Sequence, residues 1–250
     1  MATYRDQAVV LRSKTIRDAD RHYVLFTRER GKVTVLAKGA RKGKGKLGPH
    51  LSHFGVVDVM VAKGRVIDRL AGASLVQPHK GIILSLSRTA LAQGFLLAVD
   101  ALVRRDLPDE RLYGLVCEFL DAIESGPEPM EGERGLAFDA GIARLFDLLG
   151  HGIELQECVR CRSTLVPEGN ALNLHRGGME CASCRDPLAT PISAETIKAL
   201  RFFRSESVGM TAVLRLPLSV RREVGFVTDL LLSTQIENRF HALKYMKAVG

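Results

Sequence analysis

The pattern of hydrophobic and polar positions changes once along the chain, near residue 80. Residues 5–76 contain five short segments rich in Val, Leu and Ile, separated by turn-forming residues, and this pattern predicts β-strands. The segments are AVVLRS, HYVLFT, KVTVLAK, FGVVDVMVA and RVIDRLAGA. Five strands in so short a stretch suit a small closed barrel better than an open sheet, because closure removes exposed sheet edges.

Two glycine-containing turns define the predicted strand pairing. Arg30-Gly31 and Lys63-Gly64 are predicted hairpin turns in which the glycine supplies a positive φ. The third strand alternates apolar and polar positions, apart from Leu36, which predicts that one face is turned toward a core. The residues of that face are Val33, Val35 and Ala37, and those of the other face are Lys32, Thr34 and Lys38.

From about residue 80 onward, apolar residues recur at the spacing of amphipathic helices. Helices are predicted in residues 83–105, 110–125, 134–150, 193–205 and about 220–249. Ser193 precedes the fourth of these as an N-cap, with Glu195 in the first turn. We therefore predict an α+β multidomain protein: a β-barrel at residues 1–80, followed by a helical domain at residues 81–250 with a cysteine module inserted at about 155–188.

The module contains two C-x-x-C pairs, Cys158 with Cys161 and Cys181 with Cys184, separated by nineteen residues. Two residues between thiolates form a tight knuckle that directs both sulfurs to one point, and two knuckles complete a tetrahedron around zinc. Because all four positions are filled by protein, the sequence predicts one structural zinc ion with no open position for catalysis. The fifth cysteine, Cys117, has helical neighbours and is predicted to be an inert core thiol.

Two other uses of the cysteines are disfavoured. Disulfides are rare where thiols are kept reduced, and the chain shows no secretory signal at its start. A redox C-x-x-C needs one pair only, and no thioredoxin-like βαβ pattern surrounds either pair. No apolar run approaches the ~20 residues needed to span a bilayer, so a cytoplasmic protein is expected.

The positive charge of the chain is concentrated in its first third. The net charge is +8, but residues 1–80 carry 17 Lys and Arg against 6 Asp and Glu, whereas the remainder carries 19 against 22. Such asymmetry indicates that the first third meets a polyanion, with nucleic acid as the first choice and an anionic membrane as the second. Residues 28–46 hold eight basic side chains opposed only by Glu29, and these are the candidate contacts: Arg28, Arg30, Lys32, Lys38, Arg41, Lys42, Lys44 and Lys46.

The stretch AKGARKGKGKLG, residues 37–48, is rich in glycine and lysine but is not a nucleotide-binding P-loop. That motif needs Gly, four residues, Gly, Lys and then Ser or Thr, and here Lys44 or Pro49 stands at a position that the motif forbids. There is also no G-x-S-x-G, H-E-x-x-H or dinucleotide fingerprint, and the histidines are scattered. The sequence predicts a protein that is not an enzyme.

Two blocks of sequence resemble the RecO family of bacterial DNA repair and recombination proteins. AVVLRS and LFTRERGKVTVLAKGARKGKGKL are similar to the N-terminal signature of that family, and LFDLLGHGIELQECVRC with GGMECASC is similar to its zinc module. The chain departs from the family pattern at Arg162, where glycine often follows the second cysteine, and at Gly45, where serine is frequent. Neither departure removes a ligand or a charge.

The resemblance implies a fold, a function and a set of partners. It implies an OB-fold barrel, a helical domain and a zinc module, with the four cysteines named above as zinc ligands and the basic residues of 28–46 as DNA contacts. It implies binding to single- and double-stranded DNA, annealing of complementary strands, and help in RecA loading together with RecR. The C-terminal tail of single-stranded-DNA-binding protein is a further implied partner, and the expected location is cytoplasmic, in association with the nucleoid.

Two other classes of function stay open at this point. OB barrels and zinc-bound modules also recognise RNA, so an RNA-binding or ribosome-associated OB and zinc-ribbon protein is the alternative. A metal-dependent nuclease is a third hypothesis, but the closed four-cysteine site and the lack of a carboxylate cluster argue against it.

Overall fold

The first third of the chain folds as a closed five-stranded barrel in a computed structural model, which describes residues 2–16, 20–40, 47–51, 53–128 and 134–235. Around the barrel the strands follow the order β1-β2-β3-β5-β4. Their bounds are Thr3–Thr15 for β1, Arg21–Thr27 for β2, Gly31–Ala37 for β3, Val56–Ala62 for β4 and Asp68–Gln77 for β5. This is the five-stranded OB arrangement, so the predicted barrel is confirmed.

The barrel closes where β3 pairs in parallel with the start of β5, through Val35 with Asp68 and Leu36 with Arg69. All other neighbouring strands are antiparallel. The interior is apolar, and the alternation predicted for β3 is confirmed, since Val33, Val35 and Ala37 all lie in the core.

The two predicted turns need glycine for different reasons. Gly31 has a φ of +68° between β2 and β3, as predicted. The expectation that Gly64 supplies a positive φ is wrong, because its φ lies outside the left-handed region. Glycine is needed there for space instead: a Cβ at position 64 would lie 1.9 Å from the Ile67 carbonyl oxygen. A close approach of backbone to backbone thus fixes the connection between β4 and β5.

Gly31 also leaves room for residues 106–107, whose backbone packs against the start of β3. The Asp106 amide donates to the Lys32 carbonyl at 3.1 Å, and a Cβ at position 31 would lie 2.2 Å from the Leu107 oxygen. The substitution Gly31→Ala should therefore lower the free energy of unfolding by more than the roughly 1–2 kcal/mol that the left-handed conformation alone costs. Urea unfolding measures this cost.

A glycine elsewhere in the same unit provides the matched control. Gly114 is exposed on a helix, and a Cβ there would meet nothing within 4 Å. We expect Gly114→Ala to stabilise the protein by up to about 1 kcal/mol, because alanine is the better helix former. A Gly31→Ala variant as stable as the wild type would contradict the role given to residues 106–107.

Three helices belong to the same compact unit as the barrel, which spans Met1–Glu128. They are α1 at Lys80–Leu84, α2 at Leu86–Leu102 and α3 at Glu110–Ser125. Phe95 of α2 stacks on Phe119 of α3 with ring centroids 3.9 Å apart, and Tyr113 of α3 lies 6.2 Å from Phe26 of β2. The division of the chain into domains at residues 80 and 81 stays a prediction.

The second compact unit spans Pro129–Gly250 and contains four helices and a small three-stranded sheet in its described part. The helices are α4 at Leu136–Leu148, α5 at Ala194–Ser205, α6 at Val208–Ala212 and α7 at Leu218–Gln235. Ser193 caps α5 as predicted, since its side chain accepts a hydrogen bond from the Thr196 amide. The short helix α6 is not predicted by the hydrophobic pattern, and residues 236–249 of the last predicted helix lie outside the described residues.

A buried ion network holds α4 against α7. The Arg134 guanidinium lies 2.6 Å from Asp139 of α4 and 2.5 Å from Asp229 of α7. Thr228 donates a further hydrogen bond to Asp139 at 2.7 Å, so the buried carboxylate has both an ion-pair and a hydrogen-bond partner. Nowhere in the described ranges is a helix both long and apolar enough to cross a membrane.

Candidate metal centre and candidate nucleic-acid surface

The four predicted cysteine ligands converge on one point. Their sulfur atoms all lie within 4.8 Å of one another, and the Cys161 and Cys181 sulfurs are 3.8 Å apart. A tetrahedral zinc ion with zinc–sulfur bonds of about 2.3 Å requires ligand sulfurs about 3.8 Å apart. The donor set and its spacing therefore fit a four-coordinate metal ion, and the four cysteines can hold one.

Backbone hydrogen bonds shape each pair into a knuckle, a tight turn that presents both of its sulfurs. The Arg162 amide donates to the Cys158 carbonyl at 2.9 Å, and the Cys184 amide donates to the Cys181 carbonyl at 3.0 Å. Arg162 has a φ of +61°, so the position where the family often has glycine keeps the left-handed conformation with a larger residue.

The small sheet holds the two knuckles next to each other. Its strands are β6 at Ala171–Asn173, β7 at Gly178–Glu180 and β8 at Thr190–Pro191, in the order β7-β6-β8. The second knuckle follows β7 directly, and the Val159 amide of the first knuckle donates to the Met179 carbonyl of β7 at 2.9 Å. The segment between the two cysteine pairs thus supplies β6 and β7.

The thiols differ in their affinity for protons. Hydrogen bonding to Ser163, whose hydroxyl lies 3.0 Å away, lowers the pKa of Cys161 to about 6. Hydrogen bonding to the Cys161 and Cys181 sulfurs raises the pKa of Cys184 to about 12. A cation that binds all four sulfurs must displace the Cys184 proton, so metal binding should release protons near neutral pH.

A buried carboxylate, that of Glu180, links the chain before the second knuckle to the chain after it. Glu180 is fully buried, accepts hydrogen bonds from the Asn173 amide group at 3.1 Å and the Asp186 backbone at 2.7 Å, and lies 3.3 Å from the Arg176 guanidinium. Nothing in the sequence pattern indicates this role, because an acid in a polar loop is usually solvated. Cys117 lies outside the cluster, half-buried on α3, and burial raises its pKa as expected for an unreactive thiol.

The candidate DNA contacts that the structure describes do not form one cluster. Arg28 and Arg30 lie before the start of β3, and Lys38 lies just beyond its end. Since a strand rises about 3.3 Å per residue, these two groups are roughly 20 Å apart. Arg41, Lys42, Lys44 and Lys46 lie outside the described residues.

The basic residues at the start of β3 already have partners within the protein. Arg28 pairs with Glu110, and the Arg30 guanidinium lies 4.2 Å from the centre of the Tyr4 ring. Lys32 is only 8% exposed and lies 3.4 Å from the Asp100 carboxylate of α2. Burial lowers the pKa of Lys32, and Asp100 opposes that shift. Lys32 links β3 to α2, so its positive charge is largely balanced by Asp100 within the protein.

The opposite end of the barrel carries a row with basic residues, of which the sequence pattern predicts Lys38 alone as a DNA contact. In the strand registers, Lys14 lies opposite His22, His22 opposite Leu36, and Leu36 opposite Arg69. One row of residues therefore crosses β1, β2, β3 and β5. Paired residues point to the same side of a sheet, and Leu36 alternates with core residues, so the row lies on the outer face. Lys14 and Arg69 are exposed, as is Lys38 beyond the end of β3. We call Lys14, His22, Leu36, Arg69 and Lys38 the basic row.

The glycine-lysine loop starts and ends at this same end of the barrel. The Gly39 amide donates to the Asp20 carboxylate at 2.8 Å, which ties the start of the loop to the connection between β1 and β2. At the other side of the loop, a Cβ at Gly48 would lie 2.3 Å from the Ala40 carbonyl oxygen. Ala40 and Gly48, which flank residues 41–46, therefore meet beside the basic row.

Two family models match nearly the whole chain. One, described as recombination protein O N terminal, matches residues 1–79, and the other, recombination protein O C terminal, matches residues 84–244. The chain belongs to the RecO family. Membership gives this RecO protein a role in DNA repair and recombination, and it confirms the resemblance and the fold class derived from the sequence.

Relatives from several bacteria agree with this assignment. The DNA repair protein RecO of Rubrobacter xylanophilus is 32% identical over 207 residues, which cover 80% of each chain. The RecO protein of an Anaeromyxobacter species is 32% identical over 250 residues, covering 97% of this chain and 94% of the relative. That of Frankia casuarinae is 29% identical over 250 residues, covering 99% of both.

Proposed function

We propose that this RecO protein binds single- and double-stranded DNA through one end of its barrel and anneals complementary strands, without catalysing a chemical reaction. The observation that carries the proposal is the basic row, which lies directly beside the two ends of the glycine-lysine loop. The row and the described ends of the loop lie on the β2–β3 side of an OB barrel, where such barrels often bind nucleic acid, and the loop sequence adds four basic residues between those ends.

The annealing step follows from electrostatics. Two DNA strands repel each other through their phosphates, and cations on the protein reduce this repulsion while displacing counterions from the DNA. Lysine and arginine contacts go to the backbone, so the bases of both strands remain free to pair. We leave Lys32 out of the proposed contacts, because its ammonium group is paired with Asp100.

The zinc ion has a structural role in this proposal. Cys158, Cys161, Cys181 and Cys184 would hold one Zn²⁺, and the ion would supply the cross-link that keeps the two knuckles folded. A site with four protein ligands has no free coordination position, which agrees with a protein that does not use its metal for catalysis.

Partner proteins would direct the activity to its place in repair. We propose that the chain acts with RecR to assist RecA loading and that it contacts the C-terminal tail of single-stranded-DNA-binding protein. Family membership supports these partners. Association with the nucleoid in the cytoplasm would follow from DNA binding itself.

An annealing assay tests the proposal. Two complementary labelled single strands are mixed with the protein, and the rate of duplex formation is measured with and without a ribosomal RNA fragment as competitor. We expect faster annealing and only weak competition. A protein that prefers the RNA and leaves annealing unaccelerated would support the RNA-binding alternative, and magnesium-dependent cleavage of labelled DNA would contradict the non-enzymatic proposal.

The basic row can be tested against the other end of the barrel. We expect Lys14→Ala with Arg69→Ala to weaken DNA binding for all sequences alike and to reduce the salt slope by roughly 0.7–0.9 for each phosphate that the variant no longer binds. The matched control is Arg28→Ala with Arg30→Ala, which removes the same charge from the start of β3. Fluorescence anisotropy over a salt series measures both pairs, and an equal decrease in affinity for the two would mean that the row has no special part in binding.

A further inference from the structure

Arg160 occupies an unusual place in the cysteine module. It lies within the first knuckle, between Cys158 and Cys161, yet its guanidinium reaches across to the second. Its Nη1 atom donates a hydrogen bond of 2.7 Å to the carbonyl oxygen of Cys184. One side chain thus joins the two halves of the candidate metal site.

The other links between the knuckles lie at the start of the second one. The Cys181 amide donates to the Cys158 sulfur at 3.4 Å, and the Val159 amide donates to the Met179 carbonyl at 2.9 Å. Among the described residues, and apart from contacts to sulfur, only the Arg160 hydrogen bond joins the first knuckle to the carboxyl end of the second. Cys161, the most exposed of the four cysteines, belongs to the same knuckle as Arg160.

We propose that Arg160 is a positioning residue that clamps the two knuckles together and slows the release of metal from the site. The inference rests on the zinc binding proposed above. To open the site, the knuckles must separate, and this separation breaks a hydrogen bond from a charged donor, which is stronger than a neutral one.

The neighbouring Arg162 separates the effect of the hydrogen bond from that of charge. Arg162 is exposed and follows Cys161 directly, so its removal takes the same charge from the same knuckle. In the part of the chain that the structure describes, its guanidinium makes no hydrogen bond or ion pair. Arg162→Ala is therefore the matched control for Arg160→Ala.

The experiment measures metal release from the full-length protein. Elemental analysis first determines the zinc content of the wild type, and a chromogenic chelator in excess then reports the rate of zinc loss for each variant at constant pH. We expect Arg160→Ala to release zinc about tenfold faster or more, as is typical when a group supporting a metal ligand is removed. Arg162→Ala should stay within about twofold of the wild type.

Each outcome decides one claim. A wild type without zinc overturns the metal proposal and this inference with it, whereas a zinc-loaded wild type with Arg160→Ala releasing at the same rate overturns the clamp alone. Equal acceleration by both variants also overturns it, because charge would then explain the effect. Should Arg160→Ala fail to fold by circular dichroism, Arg160→Met, which keeps much of the side-chain length but cannot donate a hydrogen bond, is compared with Arg162→Met, and release from Arg160→Met at the wild-type rate is the contradicting result.

Discussion

Replacing Cys181 with serine is expected to abolish zinc binding and to unfold the cysteine module. The hydroxyl of serine does not ionise near neutral pH, so the site would lose one of four ligands that converge within 4.8 Å. Metal binding contributes on the order of 10 kcal/mol to the folding of small structural zinc sites, which is comparable with the whole free energy of unfolding of a typical domain. Elemental analysis should find almost no zinc in the variant, and its thermal unfolding should begin at a lower temperature than that of the wild type.

The remaining cysteine offers a control of the same chemistry. Cys117→Ser makes the same substitution on α3, outside the cluster, where the thiol is half-buried. This variant should keep its full zinc content and lose only the modest free energy of a repacked core position. If Cys181→Ser also keeps its zinc, the assignment of the four ligands is wrong.

Removing the three lysines of the glycine-lysine loop is expected to produce the largest decrease in DNA affinity. The variant carries Lys42→Ala, Lys44→Ala and Lys46→Ala. Each phosphate that is no longer neutralised should reduce the slope of log affinity against log salt by roughly 0.7–0.9, so three phosphates together change it by about 2 to 3. The effect should be the same for unrelated DNA sequences, since backbone contacts carry no sequence information.

A control for this variant removes exposed lysines elsewhere. Lys80→Ala with Lys198→Ala lowers the net charge by two without touching the barrel loop. We expect its salt slope to stay close to that of the wild type. A triple variant with an unchanged slope would show that the loop does not contact DNA, and the basic row would then have to account for binding by itself.

The features that can be predicted from the sequence are those set by local pattern. Strand alternation in β3 and the cap at Ser193 each depend on residues a few positions apart, and the structure confirms both. The C-x-x-C spacing predicts that the sulfurs converge, and the four sulfurs lie within 4.8 Å of one another. The positive φ predicted for Gly64 is wrong, because local sequence does not distinguish that conformation from a close approach by the Ile67 carbonyl.

The features that cannot be predicted depend on partners distant in sequence. Lys32 looks like a surface cation on an alternating strand, and only the packing of α2 brings Asp100 to it from 68 residues away. The basic row also depends on residues that are distant in sequence. Lys14 and Arg69 belong to strands far apart in the chain, and they share a row only through the registers of β1 with β2, β2 with β3 and β3 with β5.

The close approach of Ala40 and Gly48 has a consequence for how DNA affinity can change over evolution. Because Ala40 and Gly48 already meet at the end of the barrel, insertions or substitutions between them would leave the flanking strands in place. Each doubling of a flexible loop costs only about 0.6 kcal/mol in closure entropy. Lysines can therefore be added or removed there almost independently of folding stability, which makes the segment a suitable place for natural selection or a protein engineer to adjust the strength of DNA binding.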